Sequence, residues 1–309
     1  MTVLLTGAFK YSVEQIKKLK SLGLDILFVE DERTPLQIDC SEIDYVVCNN
    51  LFLYNDITKF KSLKFIQLIS AGIDRAPLDY IEENGIELFN AKDVYSVPMA
   101  EWVVLKILEI YKKSKYFYKN QTEHKWEKNR ELLELTDKTV AIIGFGSVGR
   151  EVAKRLKAFD VKLVGVGRNI VKSYLLDEYY SIEDVDRILK KSDVVILTLP
   201  LTDDTRHLID KDKISIMKED SVLINVSRGG IINETALIEA IKSRKFLGVA
   251  LDVFENEPLK TDSIVWDFEN VIITPHNSFV SDKVNERLFE LITRNLHSYN
   301  KRCRRVNLL

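Results

Sequence analysis

Residues 139–150 read TVAIIGFGSVGR, and their reading decides the fold. Thr139 to Ile143 form an apolar, β-prone run of strand length. Glycines follow at 144, 146 and 149, and the helical pattern VGREVAKRLKAF begins at Val148. In a strand–turn–helix unit, Gly144 allows the tight turn and Gly146 lets a pyrophosphate approach the backbone. Gly149 lets the helix lie close on the strand. Ser147 and Val148 open a helix whose N-terminal N–H groups and partial positive charge suit phosphates. The segment is a candidate dinucleotide site.

The same alternation extends in both directions. Strand-like runs stand at 3–9, 43–48, 64–69 and 86–89, with helical patterns at 13–22 and 77–84 between them. The alternation resumes at Thr139, with further runs at 161–166, 193–199, 221–226, 247–251 and 271–274. Strands alternating with helices predict β-α-β units and parallel sheets. Continuous apolar runs such as DVVILTL suit strands covered on both faces. Pro98 to about Tyr118 reads as one long helix, with proline suited to its first turn. Its opening, MAEWVVLKILEIY, is apolar nearly all round, so burial on more than one side is expected. The charged stretch 119–138, with Trp126, reads as an arm or a connection. A last helix is expected over about 280–300.

At 309 residues the chain has room for two domains, and a hydrophobic fraction of 46% supports well-formed cores. A formal net charge of −2 gives no electrostatic reason for a nucleic-acid or membrane partner. Cys40, Cys48 and Cys303 lack metal-like spacing, and free thiols of a cytoplasmic protein are expected. The start MTVLLTGAFK lacks the features of a signal peptide, and no apolar run approaches the ~20 residues of a membrane span. The basic cluster in NKRCRRVNLL reads as a solvated helix end.

The second strand of the dinucleotide unit ends VKLVGVGRNI. An NAD site usually places a carboxylate near this strand end for the ribose hydroxyls. Here Gly167, Arg168 and Asn169 occupy it. A guanidinium suits a 2′-phosphate, so NADP(H) is favoured, with NAD(H) possible. Gly167→Asp with Arg168→Ala is expected to reverse that preference.

Three later segments carry the candidate chemistry. Arg228 follows the strand VLINV and offers a permanently charged fork for a carboxylate and its neighbouring carbonyl. His276 follows NVIIT and is able to move a hydroxyl proton. Glu257 is a candidate partner for its other ring nitrogen. His124, His207 and His297 lie in helical or polar contexts and read as surface histidines.

These segments together resemble the D-isomer-specific 2-hydroxyacid dehydrogenase family. The likeness runs from LKFIQLISAGID at 63–74 through VPMAEWVVLKIL at 97–108 and LTLPLTDDT at 197–205. It continues through NVSRGGIINETAL at 225–237, ALDVFENEP at 250–258 and TPHNSFVS at 274–281. The resemblance implies that Arg228 binds the substrate carboxylate and carbonyl and that Glu257 pairs with the acid/base His276. It implies that Asp252 contacts the nicotinamide carboxamide, and that Leu199, Pro200, Thr205, Val226 and Ser227 line the cofactor. Main-chain groups of Ala71 and Gly72 would receive the substrate carboxylate. Side chains near Asn49, Asn50, Tyr95 and Phe279 are the expected pocket. The strand-end acid common in the family is absent at 167–168, and the chain ends at Leu309 without the regulatory extension of many phosphoglycerate dehydrogenases.

The expected fold class is α/β, with two doubly wound, Rossmann-like parallel-sheet domains around a cleft. The expected dinucleotide-binding domain is 98–278, and the substrate domain is 1–97 plus 279–309, reached again by the last helix. The expected function is NAD(P)H-dependent reduction of a small 2-oxo acid, such as glyoxylate, hydroxypyruvate or pyruvate, to the D-2-hydroxy acid, and the reverse. A homodimer packed through the cofactor domains is expected. The alternatives are a nucleotide-sensing, corepressor-like binding protein on the same fold, or a formate- or phosphite-type dehydrogenase.

Overall fold

The computed structural model describes residues 1–169 and 171–306, with side chains through Tyr299 apart from Ile170. It divides into two compact units: Met1–Tyr95 with Ser281–Leu309, and Ser96–Val280.

The first unit is built on strands β1 (Thr2–Thr6), β2 (Asp25–Val29), β3 (Tyr45–Cys48), β4 (Phe65–Leu68) and β5 (Glu87–Phe89). They pair in the order β2-β1-β3-β4-β5, all parallel. Alternate side chains of a strand face opposite sides. Val3, Leu5, Tyr45, Val47 and Phe65 therefore share one core with Leu19 of α1 (Val13–Ser21) and with Leu288 and Ile292 of the C-terminal helix, Val284–Val306. Leu4, Val46, Cys48, Ile66 and Leu68 face a second core, closed by Leu51 of α2 (Leu51–Tyr54) and Ile81 of α3 (Leu78–Glu83). Ser12 caps α1 in a full capping box with Gln15, which fixes where that helix begins. Cys40 and Cys48 are buried free thiols, whereas the Cys303 thiol and the basic cluster around it lie outside the described side chains.

The second unit carries seven parallel strands: β6 (Thr139–Ile143), β7 (Lys162–Gly167), β8 (Glu178–Ser181), β9 (Val194–Leu197), β10 (Ser221–Asn225), β11 (Phe246–Leu251) and β12 (Val271–Ile273). Their order is β12-β11-β10-β9-β6-β7-β8. The order reverses between β6 and β9, the switch point at which open α/β sheets take ligands. On one face Val140, Ile142, Val194, Ile196 and Ile224 meet α4 (Ser96–Tyr111) and α6 (Ser147–Leu156). On the other, Ala141, Ile143, Val195, Leu197 and Val249 meet α7 (Val185–Leu189), α8 (Lys211–Ile216) and α9 (Glu234–Lys242). Among the described residues no helix is long and apolar enough to cross a membrane.

The long helix expected over 98–118 is two helices. α4 ends at Tyr111, Lys113 takes a left-handed backbone with φ 49°, and α5 (Ser114–Thr122) begins after it. The break has tertiary causes. The Tyr111 carbonyl accepts the Leu133 amide at 3.0 Å, and the Lys115 ammonium reaches the Val271 carbonyl at 2.9 Å. A straight helix would carry these groups away from their partners.

Candidate active site

The glycine turn joins β6 to α6 at the switch point. Gly144 has φ +98°, a region that L side chains rarely adopt, and a Cβ there would stand 2.6 Å from the Leu199 amide nitrogen. A Cβ on Gly149 would stand 2.6 Å from the Gly144 carbonyl oxygen, so α6 lies directly on the turn. Gly146 is different, because its Cβ direction is open. Gly146 caps α6 without a side-chain hydrogen bond, which leaves the first-turn N–H groups of Ser147 and Val148 for a ligand. An open cradle over bare helix N–H groups fits a pyrophosphate.

The loop after β9 stands beside this turn. Thr198 donates its hydroxyl to the Gly144 carbonyl at 2.5 Å. Leu199 is buried and Pro200 exposed. The Thr205 hydroxyl bonds the Pro200 carbonyl at 2.7 Å and receives the Thr202 amide at 2.7 Å, so it closes the loop on itself.

Arg228, Glu257 and His276 follow three neighbouring strands, β10, β11 and β12. After β10, buried Asn225 organises the turn. Its Oδ1 accepts the Ser227 amide at 3.0 Å and the Ser227 hydroxyl at 2.7 Å, and its Nδ2 donates to the Arg228 carbonyl at 2.9 Å. Val226 and Ser227 are buried by this turn, while the Arg228 side chain is half-buried, with Nη1 2.8 Å from the Ser227 carbonyl.

His276 has φ +50°, held by its amide, which donates to the Asp252 carbonyl at 2.7 Å. Its Nδ1 lies 2.8 Å from Glu257 Oε2. Glu257 Oε1 accepts the Phe254 amide at 3.0 Å, so the carboxylate is fixed at both oxygens. Among the described residues Nε2 has no hydrogen-bond partner, and the ring remains partly exposed. The arrangement holds one ring nitrogen and offers the other.

Asp252 does something sequence reasoning did not foresee. It is 1% exposed, and its carboxylate accepts the Asn277 amide at 2.8 Å, the Ser278 amide at 3.0 Å and the Thr274 hydroxyl. In this structure it anchors the histidine loop. His207 keeps an accessible side chain, 40% exposed. It also has a partner the sequence did not mark: its Nε2 lies 2.9 Å from Glu255 Oε1, which also accepts the Glu234 amide at 3.1 Å. These contacts join segments dozens of residues apart, so no local signal marks them. His124 and His297 are exposed.

Ala71 and Gly72 belong to the first unit, just past the C-terminal end of β4. The Asn90 side chain donates to the Ala71 carbonyl at 2.6 Å, and the Ser70 hydroxyl to the Gly72 carbonyl at 2.8 Å. Nearby, buried Glu32 accepts the Asn49 and Asn50 amides at 3.0 and 2.5 Å and the Thr6 hydroxyl at 2.7 Å. The Tyr95 hydroxyl donates to the Ile69 carbonyl. Among the described residues no group of side chains is arranged to hold a metal ion.

Residues 104–278 match a family model described as D-isomer specific 2-hydroxyacid dehydrogenase, NAD binding domain. The chain is 34% identical over 234 residues to D-3-phosphoglycerate dehydrogenase of Methanocaldococcus jannaschii, a match covering 74% of this chain and 44% of that protein. It is 33% identical over 249 residues to glyoxylate reductase of Thermofilum pendens, covering 76% of this chain and 71% of that protein. Among solved structures, D-lactate dehydrogenase from Aquifex aeolicus, complexed with NAD and lactic acid, is similar with a TM-score of 0.79 and 27% identity. That likeness covers 97% of this chain and 95% of the other. The chain thus spans less than half the length of the first of these relatives.

Proposed function

This chain belongs to the D-isomer specific 2-hydroxyacid dehydrogenase family, and on that premise we propose that it reduces a small 2-oxo acid to the D-2-hydroxy acid, and catalyses the reverse. The substrate class is that of glyoxylate, hydroxypyruvate or pyruvate, and NADP(H) is favoured over NAD(H). The observation that carries this reading is the His276–Glu257 pair at 2.8 Å, with Nε2 left for substrate, on the two strands that follow β10 and its Arg228 loop in the sheet order.

When bound, the nicotinamide supplies or accepts the hydride at C2. The protein's part is charge and proton handling. Arg228 holds the substrate carboxylate and stabilises the oxygen of the carbonyl as it gains charge. His276 gives a proton to that oxygen from Nε2 in reduction and removes it in oxidation. Glu257 fixes the ring and its tautomer through Nδ1. Asp252 acts through position, by fixing the loop from Thr274 to Ser278.

The second unit takes the cofactor. Gly144, Gly146 and Gly149 admit the pyrophosphate to the N–H groups of Ser147 and Val148, and Leu199, Pro200, Thr205, Val226 and Ser227 flank it. Arg168, exposed at the end of β7, meets the 2′-phosphate. Two copies associate through the second unit, where Leu105 of α4 is 49% exposed and Trp126 is 97% exposed. The chain works in the cytoplasm, where Cys40 and Cys48 stay reduced.

The test is a panel of glyoxylate, hydroxypyruvate and pyruvate, each with NADPH and NADH, followed by cofactor absorbance. Turnover of at least one acid, with higher kcat/KM for NADPH, is expected. No turnover of any 2-oxo acid with either cofactor overturns the reading.

A further inference from the structure

Two glycines of β7 and one tyrosine of β8 compete for the same space. Gly165 is in register with Tyr179, and Gly167 with Ser181. A Cβ on Gly165 would stand 2.8 Å from Tyr179 Cδ2. A Cβ on Gly167 would overlap the Tyr179 hydroxyl oxygen, while the ring carbon bearing that hydroxyl would lie at an ordinary 3.5 Å. The phenol therefore runs along the end of β7 and brings its hydroxyl to the side-chain position of residue 167.

The ring is held there. It meets Phe145 of the glycine turn edge-on, at 6.1 Å and 74°, and the Arg150 guanidinium sits 4.9 Å over the other partner, Phe145. Tyr179 is half-buried, and burial pushes its phenol up, so the hydroxyl stays neutral at physiological pH. Among the described residues this hydroxyl has no hydrogen-bond partner.

In a dinucleotide-binding unit the end of this strand faces the adenosine ribose. We propose that Tyr179 is a cofactor-specificity residue, its hydroxyl occupying the seat of the strand-end side chain and meeting the ribose 2′ position. The proposal rests on the reading of the second unit as a nicotinamide-cofactor site. A neutral hydroxyl both donates and accepts. It bonds a ribose hydroxyl in NAD(H) and donates to a phosphate oxygen in NADP(H), where a carboxylate would repel. Specificity at this site is then a property of the Gly167–Tyr179 pair together with Arg168. The two-residue exchange expected from the sequence, Gly167→Asp with Arg168→Ala, fails for want of room, because the new side chain meets Tyr179.

The test is a double-mutant cycle on the full chain, read as dissociation constants of NADH and NADPH by fluorescence titration. Gly167→Asp alone is expected to weaken both cofactors by about tenfold. Gly167→Asp with Tyr179→Phe is expected to recover NADH binding while NADPH stays weak, a selectivity change of about a hundredfold. If Gly167→Asp alone tightens NADH as much as the pair of changes does, Tyr179 does not hold the seat and the proposal is overturned. Tyr179→Phe alone removes one oxygen and keeps the packing, so it serves if the aspartate variants do not fold. It is expected to weaken both 2′,5′-ADP and 5′-AMP several-fold by calorimetry, and unchanged binding of both overturns the role of the hydroxyl. If the unaltered chain binds neither cofactor, the cofactor reading itself falls; binding by the unaltered chain with additive variants sinks this inference alone.

Discussion

Gly229 lies against the backbone of Phe254 so closely that a Cβ on the glycine would overlap the phenylalanine carbonyl group. The residue after Arg228 is thus pressed onto the segment that leads to Glu257. Gly229→Ala cannot be absorbed by a side-chain rotation, because the obstacle is main chain. The substitution is expected to lower kcat/KM by at least about a hundredfold through displacement of Arg228, or to destabilise the fold by about 1–3 kcal/mol. Kinetics and thermal unfolding on the same preparation check this. A variant with wild-type activity and Tm would show that the two loops are not in contact.

His276→Ala is expected to reduce kcat by about 10²–10⁴-fold, the usual worth of a placed acid/base. Cofactor binding should change little, since the imidazole is not in the glycine turn. Glu257→Gln retains a hydrogen-bonding group but removes the carboxylate from Nδ1, so a smaller loss of kcat is expected. Steady-state rates and NADPH titration separate the two effects, and full activity in His276→Ala would refute the assignment.

Arg228→Lys tests the fork. Lysine keeps the charge but not the planar pair of donors. A loss in kcat/KM of about tenfold or more is expected, carried by both kcat and KM. Near-normal kinetics in the lysine variant would mean that only charge matters at this position.

Glu178 offers a pH test away from the site. Lys162 at 2.5 Å, Lys191 at 2.8 Å and the Tyr180 hydroxyl at 2.7 Å hold its carboxyl down at about 2. The folded form binds this proton more weakly than the unfolded chain. Its contribution is therefore present above the ordinary glutamate range and is lost as pH falls toward about 2. The groups are partly solvated, so Glu178→Gln is expected to cost only about 0.5–1 kcal/mol at neutral pH. Denaturant titrations at neutral and acidic pH should show that gap shrinking in acid. A gap that is constant with pH would mean the ion pairs contribute nothing.

The association state is accessible by light scattering at micromolar concentration. A dimer is expected, and replacing Leu105 with a charged residue should weaken it. A monomeric wild-type chain would remove the dimer from the functional reading.

The sequence makes the central strands visible, together with the edge strands β5 and β12, and hides the other two edges. β1, β3, β6, β9 and β10 are buried on both faces and read as apolar runs, and β4 reads as one despite buried Gln67. β2 and β8 lie at sheet edges, are more exposed, and were not recognised. The break at Lys113 was equally invisible, because no glycine or proline marks it and the contacts that cause it come from residues 133 and 271. In the site, Arg228, Glu257 and His276 could be picked out because each follows a recognisable strand. The burial of Asp252 under the histidine loop, the His207–Glu255 pair and the placement of Tyr179 arise only when distant segments meet.

The three polar groups hang from adjacent strands, and this sets a gauge. Neighbouring strands lie about 4.8 Å apart, so the ends of β10 and β12, two steps apart, stand about 10 Å from each other. Arg228 and His276 each stand three residues past those ends. Sheet spacing, common to all parallel proteins, thereby fixes how far apart the loops of Arg228 and His276 are mounted, and the loops themselves are left to aim the side chains.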